Sequence, residues 1–492
     1  MLLKVKSINL YAGKPIVILT KKTARKMNVH VSERVNILYN NKEINAVIDL
    51  VERGIEDYEV ALSEEAILRL GIKKGEFVEI QVAPMPKSVK YILKKLNGQK
   101  LNKEEIHSII RDIVNNSLTE PEIAYFVSSV YTRGMNFQET TDLIDAIVST
   151  GNRLNIKGKI VDKHSIGGLA GNRTTPIIIP ICCAAGLIMP KTSSRAITSA
   201  AGTADVIETL AEVEFSSVED IERIVNKTGG CMVWGGALGL APADDKIIQI
   251  ERLLSLDPEP QLLASIIAKK ISVGARYVLI DIPFGKHAKV DKKDALSLSK
   301  KFTRIGKHFG IEINTILTNG EQPIGNGIGP VLEMRDVLRV LKREEERPID
   351  LEKKAVLLSG KILEMAGKAK RGKGIEMAQK ILDSKRAYKK FEEIIIAQNG
   401  KIDESKLKPA KINYEFIAEN SGTIREIENK TLNHIARFAG CPMDKSAGIY
   451  LAVHTGQKVR KDDVLFIIYA ESQRRLSYAV RLAEMLNPIK ID

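Results

Sequence analysis

The sequence predicts an α/β multidomain protein. It should comprise a small β-rich N-terminal domain over residues 1–85, a helical domain over 86–157, a central α/β sheet domain with helices on both faces over 158–400, and a C-terminal α+β domain over 411–492. Three observations lead there. The chain has 492 residues, too many for one core when domains average roughly 150. Hydrophobic spacing switches from two-residue alternation to a helical period across Pro84-Met85-Pro86. From about residue 158, short apolar strands alternate with helical stretches, the pattern of a parallel sheet.

Each element has its own signal. In the N-terminal part, Ile16-Val17-Ile18-Leu19, Asn45-Ala46-Val47-Ile48 and the alternating Val78-Glu79-Ile80-Gln81-Val82 read as strands, punctuated by Gly54, Gly71 and Gly75. Ile106, Ile109, Ile110 and Ile113 mark a first helix, Phe126, Val130 and Tyr131 a second, and Leu143, Ile144 and Ile147 a third. Their junctions lie near Glu120-Pro121 and Gly134. Residues 159–162, 231–234, 277–282 and 311–316 are the strands of the central sheet, and 331–398 are mostly helical. Residues 399–411 are polar, with Gly400 and Pro409, and read as a linker. The last segment should hold strands around Ile424 and over 464–469, with helices near 432–438 and 474–486.

Composition narrows the function. The chain is 44% hydrophobic and 28% charged, which excludes disorder as the main state. Lys and Arg number 75 against 61 Asp and Glu, a net charge of +14 that favours anionic partners. The four cysteines include no C-x-x-C pair and the seven histidines no H-E-x-x-H, so neither a metal site nor a cofactor is expected. Cys182 and Cys183 read as packing residues and Trp234 as core. Residues 1–6 lack a signal-peptide core, and the apolar run 176–190 is too short to span a bilayer, so a reducing cytoplasm and no membrane are expected. The charged runs 342–347 and 368–373 read as solvated helix surface, and nucleic acid is not the expected partner.

Two segments could bind an anion. The first runs Asp162-Lys163-His164-Ser165-Ile166-Gly167-Gly168-Leu169-Ala170-Gly171-Asn172-Arg173-Thr174-Thr175, after a strand and before a helix. Glycines let backbone N–H groups approach an anion; Lys163 and Arg173 add charge, Ser165 and Thr174 hydroxyls. The spacing is neither G-x-G-x-x-G nor G-x-x-x-x-G-K-[ST], and a tight strand-to-helix turn is the structural alternative. The second runs from Lys191 through Ser193, Ser194, Arg195, Ala196, Ile197, Thr198 and Ser199 to Gly202-Thr203-Ala204-Asp205. Arg195 could clamp an oxyanion with two N–H groups, and Thr203 could equally be a helix N-cap. Ligands of α/β sheets sit at the carboxyl ends of strands, which both segments follow.

Lys163-His164-Ser165-x-Gly167-Gly168 and Ser193-x-Arg195…Ala201-Gly202-Thr203-x-Asp205-x-Ile207-Glu208 resemble the signature of the thymidine and pyrimidine nucleoside phosphorylase family. Leu240-Ala241-Pro242-Ala243-Asp244 and Ala264-Ser265-Ile266-Ile267-Ala268-Lys269-Lys270 match further family blocks in the same order. The resemblance runs from about residue 87 to the C-terminus. It implies attack of phosphate on C1′ of a nucleoside, with Lys163, Ser165, Ser193 and Thr203 holding phosphate and Ser265 and Lys269 touching the base. Two departures are informative. Where the pyrimidine enzymes carry a base-reading arginine, this chain reads Ile248-Gln249-Ile250-Glu251, and residues 1–85 are additional. Both features are similar to the archaeal branch that phosphorolyses AMP to adenine and ribose 1,5-bisphosphate.

That branch implies AMP contacts at Gly168, Ser194, Arg195, Ala196, Ile197, Thr198, Ser199, Thr203, Ser265 and Lys289, and a proton donor at Asp257. It implies that residues 241–275 join the helical domain in space, that the central domain binds phosphate, and that the protein is a homodimer or larger. CMP and UMP are possible further substrates. Asp257-Pro258-Glu259-Pro260 also reads as a plain helix N-cap with proline at N1, a capping acceptor rather than a proton donor. Ser265 and Lys269 share a helix face, which could be an ordinary polar one, and His164 could be a packed turn residue. The rival expectations are a thymidine or uridine phosphorylase, a magnesium-dependent phosphoribosyltransferase of related fold, and an RNA-binding protein.

Overall fold

A computed structural model describes residues 1–196, 199–236 and 238–492. The N-terminal part consists of β1 (Leu2–Ser7), β2 (Ile16–Thr20), α1 (Lys21–Met27), β3 (Arg34–Tyr39), β4 (Lys42–Val51), β5 (Glu59–Leu62), α2 (Glu64–Leu70) and β6 (Phe77–Val82). Its strands close into a barrel in the order β1-β5-β2-β4-β3-β6, with β1 antiparallel to β6. The alternation seen in sequence is the cause. Val17, Leu19, Val35, Ile37, Val78 and Ile80 are buried in the barrel core, and closure removes the sheet edges.

Four helices follow: α3 (Lys87–Leu96), α4 (Lys103–Val114), α5 (Glu120–Arg133) and α6 (Phe137–Ser149). The sequence reading expects three. It misses α3, in which four of ten residues are lysines and the buried stripe is correspondingly narrow. Capping boxes start the other three, pairing Asn102 with Glu105, Thr119 with Glu122, and Asn136 with Glu139. Glu139 also takes the buried Lys95 ammonium at 2.7 Å.

The chain continues through β7 (Val161–Ser165), α7 (Thr175–Ala184), β8 (Met189–Ser193), α8 (Thr203–Ile207), α9 (Val218–Thr228), β9 (Gly230–Trp234), α10 (Pro242–Leu254), α11 (Glu259–Ser272), β10 (Tyr277–Phe284), α12 (Lys292–His308), β11 (Glu312–Asn319) and β12 (Gly327–Ile328). Helices α13 (Pro330–Lys342), α14 (Ile349–Met365), α15 (Gly374–Asp383) and α16 (Arg386–Ala397) complete this region. The C-terminal part holds β13 (Ile412–Ile417), β14 (Gly422–Ile427), α17 (Asn429–Ala439), β15 (Gly448–Leu451), β16 (Lys458–Val459), β17 (Val464–Ala470), α18 (Gln473–Leu486) and β18 (Ile489–Ile491).

Contacts divide the chain into two units. The first is Met1–Gly151 with Ala241–Ala268, so α10 belongs with the barrel and the helices. Lys246 on α10 explains its place: its ammonium donates to the Ile113 and Val114 carbonyls at 2.8 and 2.9 Å, capping the end of α4. Within this unit Arg34 of the barrel also donates to Glu122 at 2.5 Å and to the Ser117 carbonyl at 3.0 Å.

The second unit is Asn152–Leu240 with Lys269–Asp492. Its parallel strands run β11-β10-β7 and β8-β9, the two sets linked by a bridge between Ile160 and Ile188. Residues Val278 to Pro283 of β10 are all buried, as expected for a strand covered on both faces. Cys182 and Cys183, in the last turn of α7, pack in the core, as their sequence context suggests. The C-terminal sheet runs β12-β15-β17-β13, so one strand comes from the central region, Gly327 opposite Tyr450 and Ile328 opposite Ile449. The expected linker is not a loose tether. Gly400 lies against the Leu210 carbonyl, Leu407 is buried, and the Ala410 N–H donates to the Ser446 carbonyl at 2.9 Å.

Candidate active site

Strand β7 ends in Lys163-His164-Ser165, and the chain then turns through Gly167 and Gly168 at φ +90° and +83°. A side chain at Gly168 would meet the Lys289 backbone nitrogen at 2.7 Å and its Cβ at 2.8 Å. Only glycine permits that approach, which brings two expected AMP contacts together. Ser165 Oγ accepts from the Asn172 amide at 3.3 Å.

Lys163 is almost fully buried and donates to Thr174 Oγ1 at 2.9 Å. Burial pulls its ammonium down to about 7, with Asp281 opposing. Beneath it lies a network that sequence reasoning missed. Asp162, wholly buried, ion-pairs with Lys270 and with Lys191 at 3.3 Å. Burial alone would raise this carboxyl; Lys191 and Lys270 outweigh it and hold it below the ordinary value. Lys191 also donates to the Lys163 carbonyl at 2.9 Å, so it supports the strand end directly. Asp281 on β10 pairs with Lys354 at 3.0 Å and accepts from Thr318 at 2.6 Å. Lys163, Lys191, Lys270 and Lys354 thus outnumber Asp162 and Asp281, leaving the strand ends disposed to an anion. Burial, with Lys270, Lys191, Lys269 and Lys163 nearby, holds His164 well below its ordinary 6.5, so at neutral pH it is an uncharged hydrogen-bonding group.

The second loop is tied to the first by Arg173. Its guanidinium donates to Glu333 at 2.5 Å, to Thr203 Oγ1 at 3.0 Å and to the Ala201 carbonyl at 2.9 Å. Thr203 is the first residue of α8, with Gly202 as the cap. Ser193 ends β8, and its hydroxyl donates to the Val233 carbonyl at 3.3 Å. The motif suggests an oxyanion clamp at Arg195; in this structure carboxylates engage its guanidinium. It makes its two-pronged contact with Glu208, at 2.9 and 2.7 Å, and pairs further with Glu214 and Asp205. Arg195 and Lys445 hold the Glu208 carboxyl down at about 2. The guanidinium lies 5.2 Å from the centre of the half-buried Trp234 ring. Asp205 accepts from the Ala196 and Gly202 N–H groups, both at 2.7 Å, and Ser199 donates to the Ala201 carbonyl at 2.9 Å. A Cβ at Gly202 would strike the Ser194 carbonyl at 2.6 Å, so the two ends of this loop touch. Ile197 and Thr198 lie outside the described residues.

In the first unit Asp257 is exposed just before α11. The first bond of that helix runs from the Leu262 N–H to the Pro258 carbonyl at 2.9 Å, so Pro258 rather than Asp257 occupies the N-cap. Ser265 donates to Asp244 at 2.8 Å, joining α11 to the start of α10. Lys269 is one turn further along α11, half-buried. Among the described residues, the group His287, Glu426 and Glu428 has metal-like spacing. Lys286 at 2.6 Å from Glu426, and Lys490 at 3.4 Å from both carboxylates, mark it as an ion-pair cluster.

Residues 89–151 match the helical bundle domain of the glycosyl transferase family, and 157–388 match its a/b domain. Residues 423–490 match the pyrimidine nucleoside phosphorylase C-terminal domain. The matched domains are therefore those of a glycosyl transferase with a phosphorylase C-terminal domain. An AMP phosphorylase of Methanocaldococcus jannaschii is 43% identical, over 97% of this chain and 95% of that protein. Those of Pyrococcus furiosus and Thermococcus kodakarensis are 45% and 44% identical, each over 99% of this chain and 97% of the relative. The chain belongs to the AMP phosphorylase family. Anthranilate phosphoribosyltransferase from Thermus thermophilus shares the fold with TM-score 0.51 and 18% identity, over 64% of this chain and 99% of that one. Among the described residues, no helix is long and apolar enough to cross a membrane.

Proposed function

We propose that this protein catalyses the phosphorolysis of nucleoside 5′-monophosphates, converting AMP and phosphate to adenine and ribose 1,5-bisphosphate, with CMP and UMP as further substrates. The observation that carries the reading is similarity over nearly the whole chain, N-terminal barrel included, to AMP phosphorylases. The cationic strand ends support it. Phosphate is held by Lys163, Ser165, Ser193 and Thr203, and AMP by Gly168, the 194–199 segment, Thr203, Ser265 and Lys289. A phosphate oxygen forms a bond to C1′ while the C1′–N bond breaks and its electron pair passes to the base. Asp257 delivers a proton to the purine at N7 or N3, making it a better leaving group, and regains one from water. Bound phosphate stabilises the oxocarbenium character that develops on the sugar, and its fixed position supplies proximity.

The test is release of adenine from AMP and from adenosine, with and without phosphate, beside Asp257→Asn. Release from AMP alone, dependent on phosphate and lost in the variant, is expected. The C-terminal match keeps a second reading open, a pyrimidine nucleoside phosphorylase; release from thymidine or uridine in preference to AMP would establish it. The assembly we propose is a homodimer or larger through the helical domain, where Leu93, Tyr125 and Tyr131 are exposed. A monomer by light scattering would exclude it.

A further inference from the structure

We infer that Asn429 and Asn433, on α17 of the C-terminal domain, are positioning residues that set the two substrate loops of the second unit. The inference rests on the phosphorolysis reading for the identity of the ligand, and on packing for the rest. Helix α17 turns an apolar face inward: Leu432, Ile435, Ala436 and Ala439 are all fully buried. Asn429 is also fully buried, and Asn433 is 8% exposed. Burying an amide is costly unless its hydrogen bonds are met. Here they are met by the backbone of the loops that carry the candidate site.

Asn429 Oδ1 accepts from the Ala170 N–H at 3.1 Å, two residues after Gly168. Its Nδ2 donates to the Gly320 carbonyl at 3.0 Å. One partner is a donor and the other an acceptor, so the amide has a single orientation. Gly320 in turn backs the Lys289 segment, since a Cβ there would lie 2.9 Å from the Ala288 side chain. Asn433, one turn along, accepts from the Ala200 N–H at 3.0 Å, at the exit of the 194–199 segment. The side chains of Ala170 and Ala200 are themselves part of the C-terminal hydrophobic core. Side-chain contacts from two acidic residues, Glu208 and Glu426, reinforce the arrangement. Lys445 holds Glu208, the partner of Arg195, at 2.8 Å, and Glu426 holds Lys286 and His287 just ahead of Lys289.

Every one of these contacts ends on a loop backbone or on a neighbour of a substrate-contact residue. The asparagines therefore act through the loops, fixing where Gly168, Lys289 and the described ends of the second loop, Ser194 to Ala196 and Ser199, stand. Removing either amide leaves a buried loop N–H without its acceptor and frees the loop to move.

The test compares full-length Asn429→Ala and Asn433→Ala with Leu432→Ala. The last makes a cavity on the same helix while sparing both amide contacts. Thermal unfolding, the KM for AMP and kcat of adenine release are measured together. AMP binding without phosphate is followed by calorimetry, which needs no turnover. Each asparagine variant is expected to raise KM and Kd for AMP by roughly tenfold, the scale of a lost buried hydrogen bond. Leu432→Ala should lower the unfolding temperature with KM and Kd unchanged. Unchanged KM and Kd in the asparagine variants would overturn the inference. So would a rise in Leu432→Ala equal to theirs. If wild type binds AMP without releasing adenine, the phosphorolysis reading fails and the Kd comparison still decides on positioning. A wild type that does not bind AMP overturns both.

Discussion

Replacing Gly168 by alanine probes a close backbone approach in the candidate site. Two penalties add. The residue stands at φ +83°, which costs an L-side chain about 1–2 kcal/mol. The new Cβ would also sit 2.7 Å from the Lys289 nitrogen, where ordinary contact begins at 3.4 Å, so the segments must part by about 0.7 Å. A misplacement of about 1 Å costs on the order of a hundredfold in rate, so roughly 30-fold in kcat/KM is expected, equivalent to ~2 kcal/mol. The internal control is Gly167→Ala. Its φ is +90° and nothing lies within 4 Å of its Cβ, so it carries the backbone penalty alone. The assay is adenine release with AMP varied at fixed phosphate, alongside thermal unfolding of both variants. Both should unfold at somewhat lower temperature, and only Gly168→Ala should lose kcat/KM heavily. Equal losses in the two variants, or wild-type kcat/KM in Gly168→Ala, would refute the reasoning that the Gly168–Lys289 approach shapes the substrate site.

Two further outcomes follow from charge. Because burial brings Lys163 down to about 7, binding inorganic phosphate at about pH 8 should draw in a proton, seen by calorimetry in two buffers of different ionisation heat. Lys163→Arg, always charged, should bind phosphate without that uptake. In the free protein this lysine is protonated less readily folded than unfolded. Its destabilising contribution is thus full below pH 7 and relieved as pH rises from 7 towards 10.5. Glu208 has the opposite sign: its carboxyl is held down at about 2 from 4.5, so its contribution is full above pH 4.5 and lost as pH falls through 2. Acid unfolding of Glu208→Gln should accordingly start from a lower stability at neutral pH and fall less steeply in that window; identical curves would show that the Arg195 pair contributes nothing.

Several parts of this molecule are legible locally. The strand leading into Lys163, expected over 159–162 and found at Val161–Ser165, and the alternation of the barrel strands need only neighbours within a few residues. The acid ends of Arg195 are less so. The motif shows an arginine able to clamp an anion, but Glu208 and Glu214 meet it through the fold of α8 and the segment beyond, where they take up its donors. The support of Lys163 is not legible at all. Asp162, Lys191 and Lys270 are spread over more than a hundred residues and meet because strands β7 and β8 lie near each other and the end of helix α11 packs against them. Asn429 is further still, 259 residues from the Ala170 N–H it satisfies, and a polar residue on an amphipathic helix leaves no local trace of such a partner. The helix start at Pro258 rather than Asp257 is a smaller miss, a shift of one position at a helix end.

The shared C-terminal sheet sets an order of events during synthesis. Strand β12 leaves the ribosome well before its partner β15, and the Ala170 and Ala200 amides precede α17 by more than two hundred residues. The barrel and its helices can close early, whereas the Ala170 and Ala200 loops acquire their buried partners only after residue 433, and β12 its partner strand only after residue 451, has been made. Until then Gly327 and Ile328 present an unpaired edge, open to pairing with another chain. A nascent chain halted before α17 would carry every residue proposed to hold phosphate and still lack the asparagines that meet the Ala170 and Ala200 N–H groups.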